Sequence, residues 1–179
     1  MHRQAIDHLL ESYIPPTPEE RVYKKQIQNF IAHHPDCFER SCGIGHITAS
    51  SFVLNHDKTQ ALLMHHAKLQ IWLQLGGHCD GDSDIQAVAL KEAQEESGIM
   101  DIRLLQEGIY DVDVHLVPSH GSDKAHYHYD IRFLHQVVDP HATMIGNEES
   151  LGLQWFGPDA TKLPTQQRSV VRLFEKWSA

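Results

Sequence analysis

The sequence predicts an α/β fold over residues 43–179, preceded by a helical extension over residues 1–42. Three observations carry that reading. Two amphipathic helical patterns occupy the start of the chain and are parted by Pro15, Pro16 and Pro18. Beyond Gly43 the pattern changes to short apolar or alternating runs bounded by turn residues, which is the signature of strands. Between two such runs, a glycine-rich segment at residues 76–84 leads into a helix carrying Glu92, Glu95 and Glu96 and stopped by Gly98.

The elements follow in order. Ile6, Leu9, Leu10 and Tyr13 recur at helical spacing, predicting a helix over residues 2–13. Thr17 then caps a second helix beginning at Pro18, with Glu19 and Glu20 in its favourable first turn. Val22, Tyr23, Ile27, Phe30 and Ile31 give that helix an apolar stripe before it ends near Pro35. Four roles stand open for the pair: covering a sheet edge, forming a homodimer contact, restricting an entrance, or packing on the core of the same chain. Residues 46–54 and 60–66 read as two strands of a hairpin about the turn Asn55-His56-Asp57-Lys58. Residues 68–75 carry Ile71, Trp72, Leu73 and Leu75 into a Gly-Gly turn. Helix 85–97 follows, with Ile85, Ala89, Leu90 and Ala93 facing inwards. Strands are expected at 101–106 and 108–117, a polar turn at 118–123, a long strand at 125–138 and another at 149–156. A last helix over 165–177 places Val170, Val171, Leu173, Phe174 and Trp177 on the core.

Composition narrows the functional classes. The 179 residues are 41% apolar, enough for one domain with a real core. No run approaches a membrane span, and Met-His-Arg-Gln-Ala-Ile-Asp lacks the apolar stretch of a secretory signal. Three scattered cysteines, Cys37, Cys42 and Cys79, predict buried thiols and a reducing cytoplasm rather than a disulfide framework. A zinc set of these three with His78 matches no standard spacing. The formal net charge of −9 argues against long nucleic acids as partners, whereas a small anionic substrate is compatible with it once metal ions reverse the local sign. Fifteen histidines are the unusual component.

Glu92 and Glu96 lie roughly 40° apart around a helix, with Glu95 on the other flank of the same stripe. Three carboxylates so placed repel one another, so a cation is expected among them, and oxygen-only donors point to Mg²⁺ or Mn²⁺. The segment resembles the Nudix box, G-x5-E-x7-R-E-U-x-E-E-x-G-U with U apolar. Gly77, Glu92, Ala93, Glu95, Glu96, Gly98 and Ile99 fall in register, while Ser83 stands at the loop glutamate and Lys91 at the arginine. The resemblance implies an α/β/α sandwich with a mixed sheet. It also implies metal-dependent hydrolysis of a nucleoside diphosphate linked to another moiety, with Glu92, Glu95, Glu96 and the Gly77 carbonyl as ligands of the divalent ion. Lys91 keeps the charge of the arginine without its bidentate fork. Asp80, Asp82 and Asp84 surround Ser83 as substitutes for its carboxylate. A Nudix fold that binds a nucleotide-like ligand without cleaving it is the second expectation.

Two further sets are candidates. Period-2 alternation puts Asp111, Asp113 and His115 on one strand face and His126, His128 and Asp130 on another. If those faces pair, they line a pocket beside the carboxylates, with His115, His126, His128 and also His78 and Lys91 contacting substrate phosphates. Glu148 or Glu149, ahead of the last strand, is placed to take a proton from the attacking water, a role that one of the box glutamates can also fill.

Overall fold

The computed structural model describes residues 2–119, 121 and 124–178. His120, Ser122 and Asp123, within the polar turn expected at 118–123, lie outside the described residues. Two helices come first, α1 (Gln4–Ser12) and α2 (Pro18–His33). The Thr17 hydroxyl accepts the Glu20 N–H at 3.2 Å and donates to the Glu20 carboxylate at 2.8 Å, so α2 starts at its sequence signal. Strands β1 (Gly45–Leu54), β2 (Ala61–His66), β3 (Trp72–Leu73) and β4 (Leu75–His78) lead to helix α3 (Ile85–Ser97). Then come β5 (Ile102–Leu104), β6 (Asp111–Val117), β7 (His126–Val137), β8 (Ser150–Phe156) and α4 (Arg168–Trp177).

The eight strands form one mixed sheet. β1 and β7 run parallel at its centre; β1 also pairs antiparallel with β2 and β4, β7 with β5 and β6, and β2 with β3 and β8. Ile47, Ala49, Ile131 and Phe133 turn one face toward α3 and toward Ile27, Phe30 and Ile31 of α2. Phe52, Leu54 and Leu134 turn the other toward Val170, Leu173 and Phe174 of α4. The result is helix, sheet, helix, in keeping with the α/β/α expectation. The helices at the start of the chain pack on its own core: the Phe30 and Tyr129 rings stack 3.9 Å apart.

The hairpin at 55–58, the bounds of α3 and the Gly98 stop lie where the sequence puts them, Gly98 having φ 71°. The Gly-Gly turn does not. Gly76 and Gly77 are strand residues paired with Ser50 and Ala49, and the chain leaves the sheet only after His78. Glycine marks close backbone approach at this place: a Cβ on Gly76 would lie 2.7 Å from the Ala49 carbonyl oxygen and 2.4 Å from the Ser50 hydroxyl.

Candidate active site

α3 is held at both ends. The Asp84 carboxylate accepts the Ala87 N–H at 3.1 Å, and the N–H of Gly98 bonds the carbonyl of Gln94. The helix lies against β1 and β4 through Ala89 and Ala93, which leaves its carboxylates at the β4 margin. Glu96 is only 2% exposed and accepts the Gly76 N–H at 2.8 Å. Glu92 rests on Gly77, whose absent Cβ would fall 2.5 Å from the carboxylate oxygen, so only glycine leaves room there. Glu95 faces solvent, 3.7 Å from the Lys91 ammonium.

The charges are poorly compensated. Among the described residues, neither Glu92 nor Glu96 forms an ion pair. Burial pushes Glu96 up to about 8 against the opposing Gly76 hydrogen bond, and Glu92, Glu149 and Glu95 push it in the same direction. Burial raises Glu92 too, with Lys91 working against the shift. Glu149 therefore acts on both carboxylates from the loop before β8. Its carbonyl accepts the Ala67 N–H, and its own N–H bonds Asn147. Glu148 enters none of these interactions among the described residues. Glu92, Glu95, Glu96 and the Gly77 carbonyl together offer only oxygen donors, a set that suits a hard divalent cation.

Each loop aspartate near Ser83 is already engaged. Asp84 caps α3, Asp82 accepts the Asp84 N–H at 2.9 Å, and Asp80 holds Arg40 through both carboxylate oxygens. Asp82 and Asp84, one methylene shorter than glutamate, turn back on their own loop and the start of α3, and Asp80 turns to Arg40. Arg40, which the motif does not include, acts electrostatically on Glu92 and Glu149 and is the cation that sequence reasoning missed. It comes from the segment before β1 and is separated from Asp80 by the whole hairpin.

A family model of the NUDIX domain matches residues 45–175. The chain belongs to the NUDIX family. Its reaction is that of a hydrolase acting on phosphoric anhydride bonds, of pyrophosphohydrolase type. Among curated proteins, none matches the sequence. Solved structures with the same fold include a C. elegans Ap4A hydrolase in a binary complex, with TM-score 0.58, 16% identity and coverage of 74% of this chain and 94% of that one. A NUDIX-family hydrolase from Clostridium perfringens gives 0.54, 21%, 74% and 96%. The E. coli dihydroneopterin triphosphate pyrophosphohydrolase gives 0.53, 14%, 73% and 92%. At such identities the likeness establishes the fold alone.

The histidines occupy a different place in this Nudix fold from the carboxylates. β6 and β7 pair with His115 opposite His128, Asp113 opposite Asp130 and Asp111 opposite Arg132, so the two polar faces do meet. They meet on the face of the sheet turned away from α3, because Gly77 faces Glu92 and its neighbour His78 faces the other way. The three aspartates are buried there with Arg132 and Arg172. Arg132 bonds Asp130 at 2.7 Å and Asp111 at 3.1 Å; Arg172 bonds Asp111 at 2.9 Å and Asp113 at 3.0 Å. Beyond this network lie His115, His126, His128 and His78, joined by His46 of β1. Burial pushes His46 and His78 down to about 4 and His128 to about 2, with the surrounding cationic groups adding to the shift, so all three are neutral at pH 7. His46 was legible only as one of the polar residues alternating with Ile47 and Ala49; nothing in β1 alone marks it.

Proposed function

We propose that the chain hydrolyses the diphosphate linkage of a nucleoside diphosphate derivative, with Mg²⁺ or Mn²⁺ held by Glu92, Glu95, Glu96 and the Gly77 carbonyl. The observation that carries this reading is the gathering of Glu92, Glu95 and Glu149 around a buried Glu96 that, among the described residues, has one hydrogen bond and no counter-cation. Such a group is costly unless a cation or a proton neutralises it. The bound ions supply charge neutralisation at the diphosphate oxygens and acidify the attacking water. The chain supplies the rest. Gly76 fixes one oxygen of Glu96, Gly77 leaves Glu92 room to reach inward, and in this reading Glu149 takes the proton of the water. Arg40 and Lys91 are cations that act on Glu92 and are available to the substrate phosphates. Small nucleotide-like compounds in the cytoplasm are the matching substrate class, and among the described residues no helix is long and apolar enough to cross a membrane.

The test is phosphate or monophosphate release from a panel of nucleoside diphosphate derivatives, with Mg²⁺, Mn²⁺ or chelator, for wild type and Glu96→Gln. Metal-dependent cleavage that falls by ~10²-fold or more in the variant is expected, the scale of a lost proton-transfer or charge-stabilising group. Full activity in folded Glu96→Gln would overturn the site. Silence across the panel from folded, metal-binding wild type would make the chain a nucleotide-like ligand sensor instead.

A further inference from the structure

The geometry points to a second metal site, in which His46, His78 and His128 bind a transition-metal ion of the zinc type on the sheet face opposite the Nudix helix. The three imidazoles come from β1, β4 and β7, and one ring nitrogen from each lies within 4.8 Å of the other two. Their ring centroids are 4.9 Å apart for His46 and His78, 4.9 Å for His46 and His128, and 5.0 Å for His78 and His128. His46 is 3% exposed, and neither of its ring nitrogens has a hydrogen-bond partner among the described residues. A buried nitrogen without a partner is a loss that few folds keep, and here it is turned toward two other imidazoles. The face is built for polar groups, since apolar residues would fill the same volume without that loss.

Two further histidines border the site. His126 lies with Nδ1 2.8 Å from the Lys124 carbonyl, so Nδ1 carries the proton and donates, leaving the Nε2 lone pair free. That Nε2 is 3.3 Å from Nε2 of His128, so His126 borders the three-imidazole set without belonging to it. His115 Nδ1 is 2.9 Å from the Asp113 carboxylate, which is itself fixed by Arg172. The His115 ring is thereby held edge-on to His128, with ring centroids 5.4 Å apart. Nitrogen donors of this kind select zinc, copper, nickel or iron, whereas the oxygen donors across the sheet select magnesium or manganese. The two sites are thus separated by donor chemistry as well as by the sheet. This inference does not rest on the hydrolase reading.

The experiment uses the full chain, freed of metal with chelator and then titrated with Zn²⁺ while millimolar Mg²⁺ occupies the carboxylates. One equivalent of zinc is expected, retained in Glu92→Gln and weakened on the order of a hundredfold in His46→Leu and His128→Leu. X-ray absorption of zinc-loaded wild type should show three imidazoles at ~2.0–2.1 Å. That spectrum decides the matter even if a histidine variant fails to fold. No zinc bound over excess Mg²⁺, binding lost in Glu92→Gln, binding unchanged in the histidine variants, or a spectrum dominated by oxygen or sulfur would each overturn the proposal.

Discussion

Gly76 and Gly77 are neighbours with opposite requirements, because consecutive strand residues face opposite sides of the sheet. A Cβ at Gly77 meets the flexible end of Glu92, whereas one at Gly76 meets the β1 backbone at a φ of 153°. Gly77→Ala is therefore expected to keep the melting temperature within a few degrees and lower turnover as Glu92→Gln does. Gly76→Ala is expected to cost at least ~1–3 kcal/mol of stability from backbone strain. Thermal melts beside a turnover assay separate the two, and a Gly77→Ala protein that unfolds first would contradict the placement of Glu92. Glu96 adds a pH dependence. Its folded pKa near 8 lies above the ordinary carboxylate value of 4.5, so the fold binds this proton more tightly than the unfolded chain. Its stability contribution is complete below about pH 4.5 and is lost as pH rises through about 8. In chelator, the melting temperature of wild type should fall relative to that of Glu96→Gln across this interval, and Mg²⁺ should restore it. Parallel pH profiles for the two proteins would show Glu96 to be solvated. The three box glutamates were legible in the sequence because one helix places them by spacing alone. Arg40 was not, since it reaches Asp80 through the tertiary fold.

α2 shows the same division between local and non-local information. Its start was legible from Thr17, Pro18 and Glu20, and its apolar stripe from Ile27, Phe30 and Ile31, but the surface it covers was not. That surface is the β1 and β7 face beside α3, and Phe30 closes it by stacking on Tyr129 at an interplanar angle of 7°. Phe30→Ala should therefore cost ~3–5 kcal/mol, the range for a buried aromatic, read as a lowered denaturant midpoint at unchanged slope. A cost below about 1 kcal/mol would mean that α2 is a detachable arm. β4 was the element misread, and for a physical reason. Two glycines suggest a turn when read locally, yet here they allow a strand to lie close to β1 while presenting a bare backbone to Glu92. Close approach is a property of two segments and cannot be read from one. The strand pair β6 and β7 was legible in part: its alternation predicted the two faces and the pairing brings them together, but on the side of the sheet away from the carboxylates rather than beside them.

At the scale of the whole molecule, the two helical layers are joined through charge. Arg132, 1% exposed, and Arg172, 2% exposed, share Asp111 and Asp113 beneath the histidines. Arg172 also reaches Glu19 of α2 at 3.1 Å, and Lys176 bonds Glu20, so α2 and α4, on opposite faces of the sheet, meet around the β6 edge. None of this was legible in the sequence, because the partners are far apart in it and a lone arginine in a strand or helix reads as a solvated charge. Buried pairs of this kind contribute little net stability when intact, since desolvation offsets the attraction. Breaking one is another matter. Arg172→Met keeps most of the side-chain volume and leaves Asp111 and Asp113 to share Arg132, with Lys176 4.0 Å from Asp111 as the next cation. It should cost ~3–5 kcal/mol. Asp111→Asn added to Arg172→Met should recover part of that loss, because the uncompensated charge is then gone while Asp113 keeps Arg132. Additive losses in the double variant, measured by denaturant unfolding, would mean that Asp111 contributes by hydrogen-bond geometry to Arg132 rather than by balancing Arg172. Recovery would instead show that the network is a set of mutually neutralising charges on which the placement of α4, and through Asp113 the orientation of His115, depends.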